Sequence, residues 1–431
     1  MPKLINSIKK LVKSESFCNR HKQNPQDFTR TRALPFHQLI YFFLNMPRAA
    51  YETELCNFNR TLQHLDVAEP LATKGALTKA RRKLNHCAFI EMNNHLAEYY
   101  QRDFNPLRWN GFLLLAIDGT LTNIPNVPEI INHFGQWKPR LGNPCPKARV
   151  SQLYDVMNHM TIAGLITPKD FGERELAAAH CPNLQEDHLL LLDRGYESFW
   201  LFKTILSYDA SFCARVSANR LNIVKQFVSS GDTERIIKLQ CSYTSALKCA
   251  DLELDKSAIK LRLIRVDLPS GETEVLITSL TDRHVYPIDQ FAELYHERWP
   301  IEEDYKVIKC RIQMENFTGK TVHSVYQDFY ARLFTKNLTS VIIRSVSGRI
   351  RSLTEGRLHL YKANFTNALA MMRTHIVVLF NRQGLTLLSC IDNLQTLIAR
   401  VLCEVRPGRS VPRIFRKKSR AKFSPAYKPI S

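Results

Sequence analysis

Residues 112–120 read FLLLAIDGT, and residues 189–196 read LLLLDRGY. In each segment a continuous apolar run ends in an acid, Asp118 in the first and Asp193 in the second. Unbroken apolar runs of this length are typical of strands that are buried on both faces of a sheet. The two segments therefore predict an α/β unit in which two strands each present a carboxylate at the carboxyl end.

The stretch between the two acids predicts further strands and a helix. Residues 150–160 and 161–167 have the pattern of a strand hairpin, and residues 173–180 that of a helix. With these elements counted, Asp118 lies on the first strand and Asp193 on the fourth, as in the ribonuclease-H-like arrangement. Carboxylates are hard oxygen ligands that suit Mg²⁺ and Mn²⁺, so two strand-end acids in one unit indicate a divalent-metal site.

A third acid lies in a spaced pattern further along the chain. Tyr295, Arg298, Glu302 and Lys309 follow one another at intervals of three, four and seven, which places them on one face of an ideal helix. A carboxylate beside a guanidinium and an ammonium suits a phosphodiester held next to a metal, and an exposed helix with ordinary ion pairs is the alternative. Pro300 lacks a backbone N–H, so we expect the helix to kink or restart there, with Glu302 in a first turn.

Other side chains compete for these roles. Glu303 and Asp304 adjoin Glu302 but point away from the face that it shares. Asp155 lies within a predicted strand, where a structural acid is more common. Tyr295 could be a recombinase-type nucleophile, but its place on the face of Glu302 favours a phosphate contact.

Residues 1–107 are predicted to form a helical N-terminal domain. Thr73 can cap a short helix that carries Lys79, Arg81 and Arg82, and a second helix follows after a tight turn. Two short helices of this kind, one of them basic, resemble a helix-turn-helix DNA reader. A structural hairpin with a solvated basic face is the alternative.

The predicted catalytic domain covers residues 108–350. Within it, alternation of apolar and polar residues over about 218–282 predicts a small antiparallel sheet, which we interpret as a β-rich insertion. Helices are predicted to resume after this insertion.

The C-terminal part is predicted to be helical over residues 351–405. An apolar stripe from Leu387 to Val401 indicates either core or a dimer contact. Residues 406–431 form a basic tail with nine Lys or Arg and no acid. Arg416 and Lys417 in this tail are candidate DNA contacts, and a solubilising tail is the alternative.

The charge of the chain points to a polyanionic partner. Its 431 residues include 60 Lys and Arg against 40 Asp and Glu, a net charge of +20, and nucleic acid is the most common partner of such proteins. No RRM or KH signature supports an RNA-binding protein. There is no signal peptide, no apolar run long enough for a membrane span and no CxxC pair among eleven cysteines, so we expect a cytoplasmic protein without a membrane partner.

Together these motifs resemble one known family. Asp118-Gly-Thr, Asp193-Arg-Gly-Tyr and Tyr-x2-Arg-x3-Glu-x6-Lys are similar to the signatures of the DDE transposases of bacterial insertion sequences, specifically the insertion-sequence-four group. The likeness extends over most of the chain, through residues 28–35, 154–158, 173–176 and 406–409.

The resemblance implies an α/β fold with a ribonuclease-H-like catalytic core and an inserted β-rich subdomain. A helical N-terminal DNA-binding domain would precede this core, and C-terminal helices would follow it. The resemblance also assigns roles to residues. The catalytic metal ligands would be Asp118, Asp193 and Glu302. The contacts with DNA near the transposon end would be Tyr295, Arg298 and Lys309.

We therefore expect a DNA transposase that cuts transposon ends and joins them to target DNA. The chemistry would be phosphodiester hydrolysis and transesterification with two Mg²⁺ ions, or Mn²⁺ in their place. The partners would be double-stranded DNA, both terminal inverted repeats and target, and a second copy of the chain in a homodimer on DNA at the bacterial nucleoid. A ribonuclease-H-like nuclease without strand transfer and an inactive DNA-binding relic are the alternatives.

Overall fold

The computed structural model describes residues 1–30, 32–138, 143–268 and 271–406. These residues form two units. Unit 1 comprises Met1–Phe104, Thr122–Lys147 and the chain from Val307 onward, and unit 2 comprises Asn105–Leu121 and Ala148–Lys306.

The helices and strands are numbered in chain order. The α-helices are α1 (Pro2–Lys13), α2 (Glu15–His21), α3 (Phe36–Leu44), α4 (Tyr51–Gln63), α5 (Lys74–Arg81), α6 (Cys87–Asp103), α7 (Pro128–Phe134), α8 (Glu173–His180), α9 (Phe199–Leu206), α10 (Asn222–Ser230), α11 (Tyr243–Asp251), α12 (Gln290–His296), α13 (Pro300–Lys306), α14 (Val322–Ser345), α15 (Ser347–Leu353), α16 (Phe365–Asn381) and α17 (Gly384–Arg400). The strands are β1 (Leu113–Asn123), β2 (Gln136–Trp137), β3 (Cys145–Asp155), β4 (Met160–Pro168), β5 (His188–Leu192), β6 (Ser211–Val216), β7 (Glu234–Leu239), β8 (Ile259–Asp267), β9 (Thr273–Thr278), β10 (Leu360–Ala363) and β11 (Leu402–Val405).

Unit 2 is built around one sheet, with its strands in the order β4-β3-β1-β5-β6-β9-β8-β7. β1, β5 and β6 are parallel to one another. β3 and β4 form an antiparallel hairpin, and β6, β9, β8 and β7 pair antiparallel in turn. The leucine runs of β1 and β5 are fully buried and join one apolar core with α9 and the later strands. Burial on both faces explains why these two strands read as continuous apolar runs.

The elements predicted between the two acids are confirmed with small shifts. The hairpin is present as β3 and β4, and the helix α8 spans Glu173–His180 as predicted. β1 does not end at Asp118, because its strand conformation continues to Asn123. Asp118 thus lies within a strand, at the level where the neighbouring strand β5 ends.

The strands β7, β8 and β9 are antiparallel as predicted, but they do not form a separate sheet. β9 pairs with β6, so the three strands extend the main sheet, and the same segment contains the helices α10 and α11. An unpaired edge at β6 would leave backbone donors and acceptors exposed, and β9 satisfies them. Alternation along one strand does not reveal which edge it joins.

Unit 1 packs its helices around α14, which is buried along most of its length and contacts α3, α6, α16 and α17. The apolar side chains of α17, including Leu387 and Ile398, are buried within the unit. The stripe predicted on this helix is therefore core and not a free dimer contact. β10 and β11 pair as a two-stranded sheet in a region predicted to be helical. Among the described residues, no helix is both long and apolar enough to cross a membrane.

Candidate active site

The two strand-end acids lie side by side in unit 2. β1 pairs with β5 so that each residue faces the residue 75 positions later, and the same register brings Asp118 level with Asp193. The pairing of β5 with β6 brings Arg215 level with Asp193 in turn. Paired residues of neighbouring parallel strands are about 4.8 Å apart and point to the same face. The two carboxylates and the guanidinium therefore form a row across three strands.

Asp118 is a largely buried carboxyl group. The backbone N–H of the next residue donates to its Oδ1 at 2.8 Å. Burial raises the pKa of Asp118 to about 6, and the negative charges of Glu302 and Asp193 also raise it, while that N–H and Arg298 oppose the shift. The three predicted acids thus lie within electrostatic range of one another. A nearby cation would lower the free energy of ionised Asp118.

The pKa of Asp193 is shifted in the opposite direction. Arg215 donates to its Oδ1 from Nη2 at 2.6 Å and from Nε at 3.1 Å, and it also binds Glu274 at 2.5 Å. Burial favours a higher pKa for Asp193, but the backbone N–H of Arg194 and the guanidinium of Arg215 together lower it. Sequence analysis missed Arg215. The available signal was a basic residue near the end of an otherwise buried strand.

Glu302 lies in the first turn of α13, as the proline predicts. Residues 297–299 form a turn after α12, and the helix restarts at Pro300. Arg298 Nη2 donates to Glu302 Oε1 at 2.8 Å across this break. Arg298 is only 6% exposed, and its positive charge acts on Asp118 and Asp193 as well as on Glu302. One buried guanidinium therefore interacts with all three acids.

Tyr295 and Lys309 have different environments. The Tyr295 hydroxyl donates to the backbone oxygen of Leu192 at 3.3 Å, and the Arg298 guanidinium lies 5.9 Å from the centre of its ring. Lys309 lies on a π-helical turn, Val307–Arg311, that belongs to unit 1. A π-helical turn winds differently from an α-helix, so the spacing of seven no longer places Lys309 on an ideal helical face.

The competing acids have other partners or surroundings. Glu303 is exposed and pairs with Lys306. Asp304 is 5% exposed and Asp155 1% exposed. Asp155 accepts hydrogen bonds from the backbone and side-chain nitrogens of Asn158, and burial raises its pKa to about 7. The contacts of Asp155 with Asn158 are those of a structural side chain.

The carboxylate groups of Asp118, Asp193 and Glu302 suit a divalent cation in their chemistry and charge. Hard carboxylate oxygens are the ligands that Mg²⁺ and Mn²⁺ prefer. Within the described residues, however, no three Asp, Glu, His or Cys side chains are gathered closely enough to hold an ion as they stand. Asp193 and Glu302 are each hydrogen-bonded to an arginine instead. A cation would therefore compete with Arg215 and Arg298 for these two acids.

A fourth acid, Glu173, lies beside the row and was not predicted as a site residue. A Cβ atom on Gly119 would lie 3.7 Å from Glu173 Oε1, and one on Gly195 would lie 3.9 Å from Oε2. Both distances are ordinary van der Waals contacts, so the Glu173 carboxylate lies directly beside these two glycines. Glu173 pairs with Arg149. Both side chains line a cavity of about 450 Å³, together with Arg174, Glu175, Gly195 and Trp200.

The three basic residues predicted as DNA contacts near α5 divide into two kinds. Thr73 caps α5 as predicted, and Lys79 and Arg82 are exposed. Arg81 is 5% exposed, and its guanidinium pairs with Asp328 at 2.7 Å in unit 1. A buried and paired guanidinium of this kind is not available to DNA, so only Lys79 and Arg82 remain candidate contacts. Arg416 and Lys417 lie outside the described residues.

Comparison with known proteins identifies the family. A family model described as "Transposase DDE domain" matches residues 109–338, more than half of the chain. The chain is 22% identical over 393 residues to the transposase InsG for insertion sequence element IS4 of Escherichia coli (strain K12), which covers 90% of this chain and 87% of that protein. It is 27% identical over 158 residues to the putative transposase y4zB of Sinorhizobium fredii, over 36% of this chain and 42% of that protein.

A solved structure is also similar. The cryo-EM structure of the piggyBac transposase synaptic complex with hairpin DNA matches 94% of this chain and 87% of its own, with a TM-score of 0.46 and 12% identity. The family predicted from the motifs is confirmed by the family model and by the full-length relative, and members of this family generally use divalent metal ions. The chain belongs to the DDE-domain transposases, enzymes that cleave and transfer DNA strands.

Proposed function

We propose that this transposase uses Asp118, Asp193 and Glu302 as the ligands of two Mg²⁺ ions, or of Mn²⁺, to cut transposon ends and join them to target DNA. The observation that carries the proposal is the electrostatic coupling of these acids through Arg298. When bound, such ions activate the attacking water or 3′-hydroxyl and stabilise the leaving 3′-oxygen. The same site would serve both hydrolysis and strand transfer.

The residues around the acids would prepare the site for the ions and for DNA. Arg215 and Arg298 would orient the Asp193 and Glu302 carboxylates by hydrogen bonds before a metal binds. With these carboxylates bound to a metal, the Arg215 and Arg298 guanidinium groups would have N–H donors available for a phosphate oxygen. Arg298 would then contact the DNA backbone near the transposon end.

Tyr295 would support this site and would not act as a nucleophile. Burial raises the pKa of its phenol, so the hydroxyl keeps its proton. That hydroxyl is bonded to the backbone directly before Asp193, which would fix the position of the acid. Contacts of Tyr295 and Lys309 with DNA near the transposon end remain parts of the proposal.

The proposed substrate is double-stranded DNA, as terminal inverted repeats and as target. The charge of +20 supports binding to a polyanion, and Lys79 and Arg82 would contribute exposed charge. We further propose that two copies act together on two ends, at the bacterial nucleoid in the cytoplasm. The basic tail with Arg416 and Lys417 would add phosphate contacts.

Strand transfer with pre-cut ends tests this function directly. Duplexes carrying the inverted repeats that flank the reading frame are incubated with Mg²⁺ and a target plasmid, and joined products are counted. The proposal requires joined product from the wild type and none from Asp193→Ala. Cleavage without joining would support a nuclease instead. Nicking that survives Asp193→Ala would contradict the assignment of the acids.

A further inference from the structure

A second charged cavity lies in unit 1, on the first helix of the chain. It has a volume of about 330 Å³ and is lined by Asn6, Lys9, Lys10 and Lys13 of α1 and by Gln383 and Gly384, where α17 begins. Three ammonium groups thus border one small space. The lining contains no acid.

The lysines of this cavity lack the usual counter-charge. Among the residues that the structure describes, no carboxylate pairs with Lys9, Lys10 or Lys13. Lys9 is 6% exposed, and its Nζ donates to the backbone oxygen of Arg382 at the end of α16. Burial and the nearby charge of Lys13 lower the pKa of Lys9. A buried ammonium beside a like charge, with a carbonyl oxygen as its hydrogen-bond partner, would gain from a nearby anion.

The opposite wall of the cavity also offers hydrogen-bond donors. Gln383 precedes α17 and makes no side-chain cap, so the first-turn N–H groups of that helix are not satisfied by a capping side chain. Lys10 and Lys13 are exposed at the rim, so a group carried by a large molecule can reach them from solvent. Ammonium groups act as point charges for phosphate oxygens.

We propose that this cavity binds a phosphate group of the DNA backbone, at a contact additional to the active site and to the α5 region. The proposal rests on the proposed DNA-binding function. A free phosphate ion shares the same chemistry and is separated from DNA by the test below.

The test compares two double variants of equal charge in the full chain. Lys10→Gln with Lys13→Gln removes the rim charges and leaves buried Lys9 in place. Lys3→Gln with Lys22→Gln removes two lysines outside the cavity, one in α1 and one directly after α2. Affinity for an end-bearing duplex is measured by fluorescence anisotropy over a series of salt concentrations, and urea denaturation checks that all proteins are folded.

We expect the cavity variant to reduce the slope of log affinity against log salt by about 0.9 for the phosphate lost, whereas the control keeps the wild-type slope. Equal slopes in the two variants would overturn the proposal. Inorganic phosphate could instead stabilise the wild type but not the cavity variant, while the DNA slopes stay equal. This result would assign the cavity to free phosphate and overturn the DNA assignment. A wild type that binds no duplex would count against the proposed function itself.

Discussion

Replacing Asp118 by Asn should stabilise the folded protein while it abolishes cleavage. The pKa of Asp118 rises from 3.8 to about 6 on folding, because of burial and of the nearby acids. A group that binds its proton more tightly when folded destabilises the fold at every pH at which it must ionise. At about 1.36 kcal/mol per pKa unit, ionised Asp118 costs about 3 kcal/mol at pH 8. Asn keeps an oxygen that can accept the hydrogen bond from the next N–H but carries no charge.

The assay is urea denaturation in EDTA at pH 8 and at pH 4. Asp118→Asn should gain about 3 kcal/mol at pH 8 and less than about 1 kcal/mol at pH 4, where the folded carboxyl is protonated and the unfolded one is only partly ionised. Asp251→Asn, an exposed acid at the end of α11, is the matched control and should change little. Added Mg²⁺ should stabilise the wild type more than Asp118→Asn. Equal stability of the two proteins at pH 8 would refute the electrostatic reasoning.

Three other substitutions test separate contacts. Arg215→Met should raise the pKa of Asp193, because the guanidinium that lowers it is lost, and so should move the acid limb of the cleavage pH–rate profile to higher pH. The folded pKa of Asp155 is raised to about 7, so the wild type should lose roughly 2–3 kcal/mol of stability through this group between pH 5 and pH 8. Asp155→Asn should not show this loss. Arg81→Met should cost about 3–5 kcal/mol in urea denaturation, because it leaves Asp328 buried without its partner.

Each of these predictions has a control or a contrary outcome. An acid limb that stays in place in Arg215→Met would show that Asp193 does not set it. The Asp251→Asn control should keep the wild-type dependence of stability on pH, and Asp155→Asn with that same dependence would contradict the raised pKa. Lys79→Met removes an exposed neighbour of Arg81 on α5 and should change stability by less than about 0.5 kcal/mol.

The positions of the acids could be predicted because the sequence patterns that mark them are local. Each apolar run is long enough to indicate a buried strand, and each ends in its acid. The interval of 75 residues between Asp118 and Asp193 is also the register of β1 against β5, although the sequence alone does not show this pairing. Pro300 likewise marked the helix break before Glu302, because a missing N–H is a local property.

The features that sequence analysis missed depend on contacts between distant segments. Arg215 reaches Asp193 only because β6 pairs with β5 in one particular register. β9 could join any open strand edge, and only the assembled sheet selects β6. Arg81 has the same pattern as its exposed neighbours, but its side is covered by α14. Burial of a charged side chain is decided by what packs on it, and the local sequence does not record this.

The central claim is that three carboxylates share divalent cations. Electron paramagnetic resonance can count Mn²⁺ ions bound per chain, on the complex with an uncleavable end-bearing duplex, for the wild type and for Glu302→Gln. We predict two ions on the wild type and fewer on Glu302→Gln, with the same deficit in Asp118→Asn. Equal numbers of bound ions on all three proteins would contradict the account.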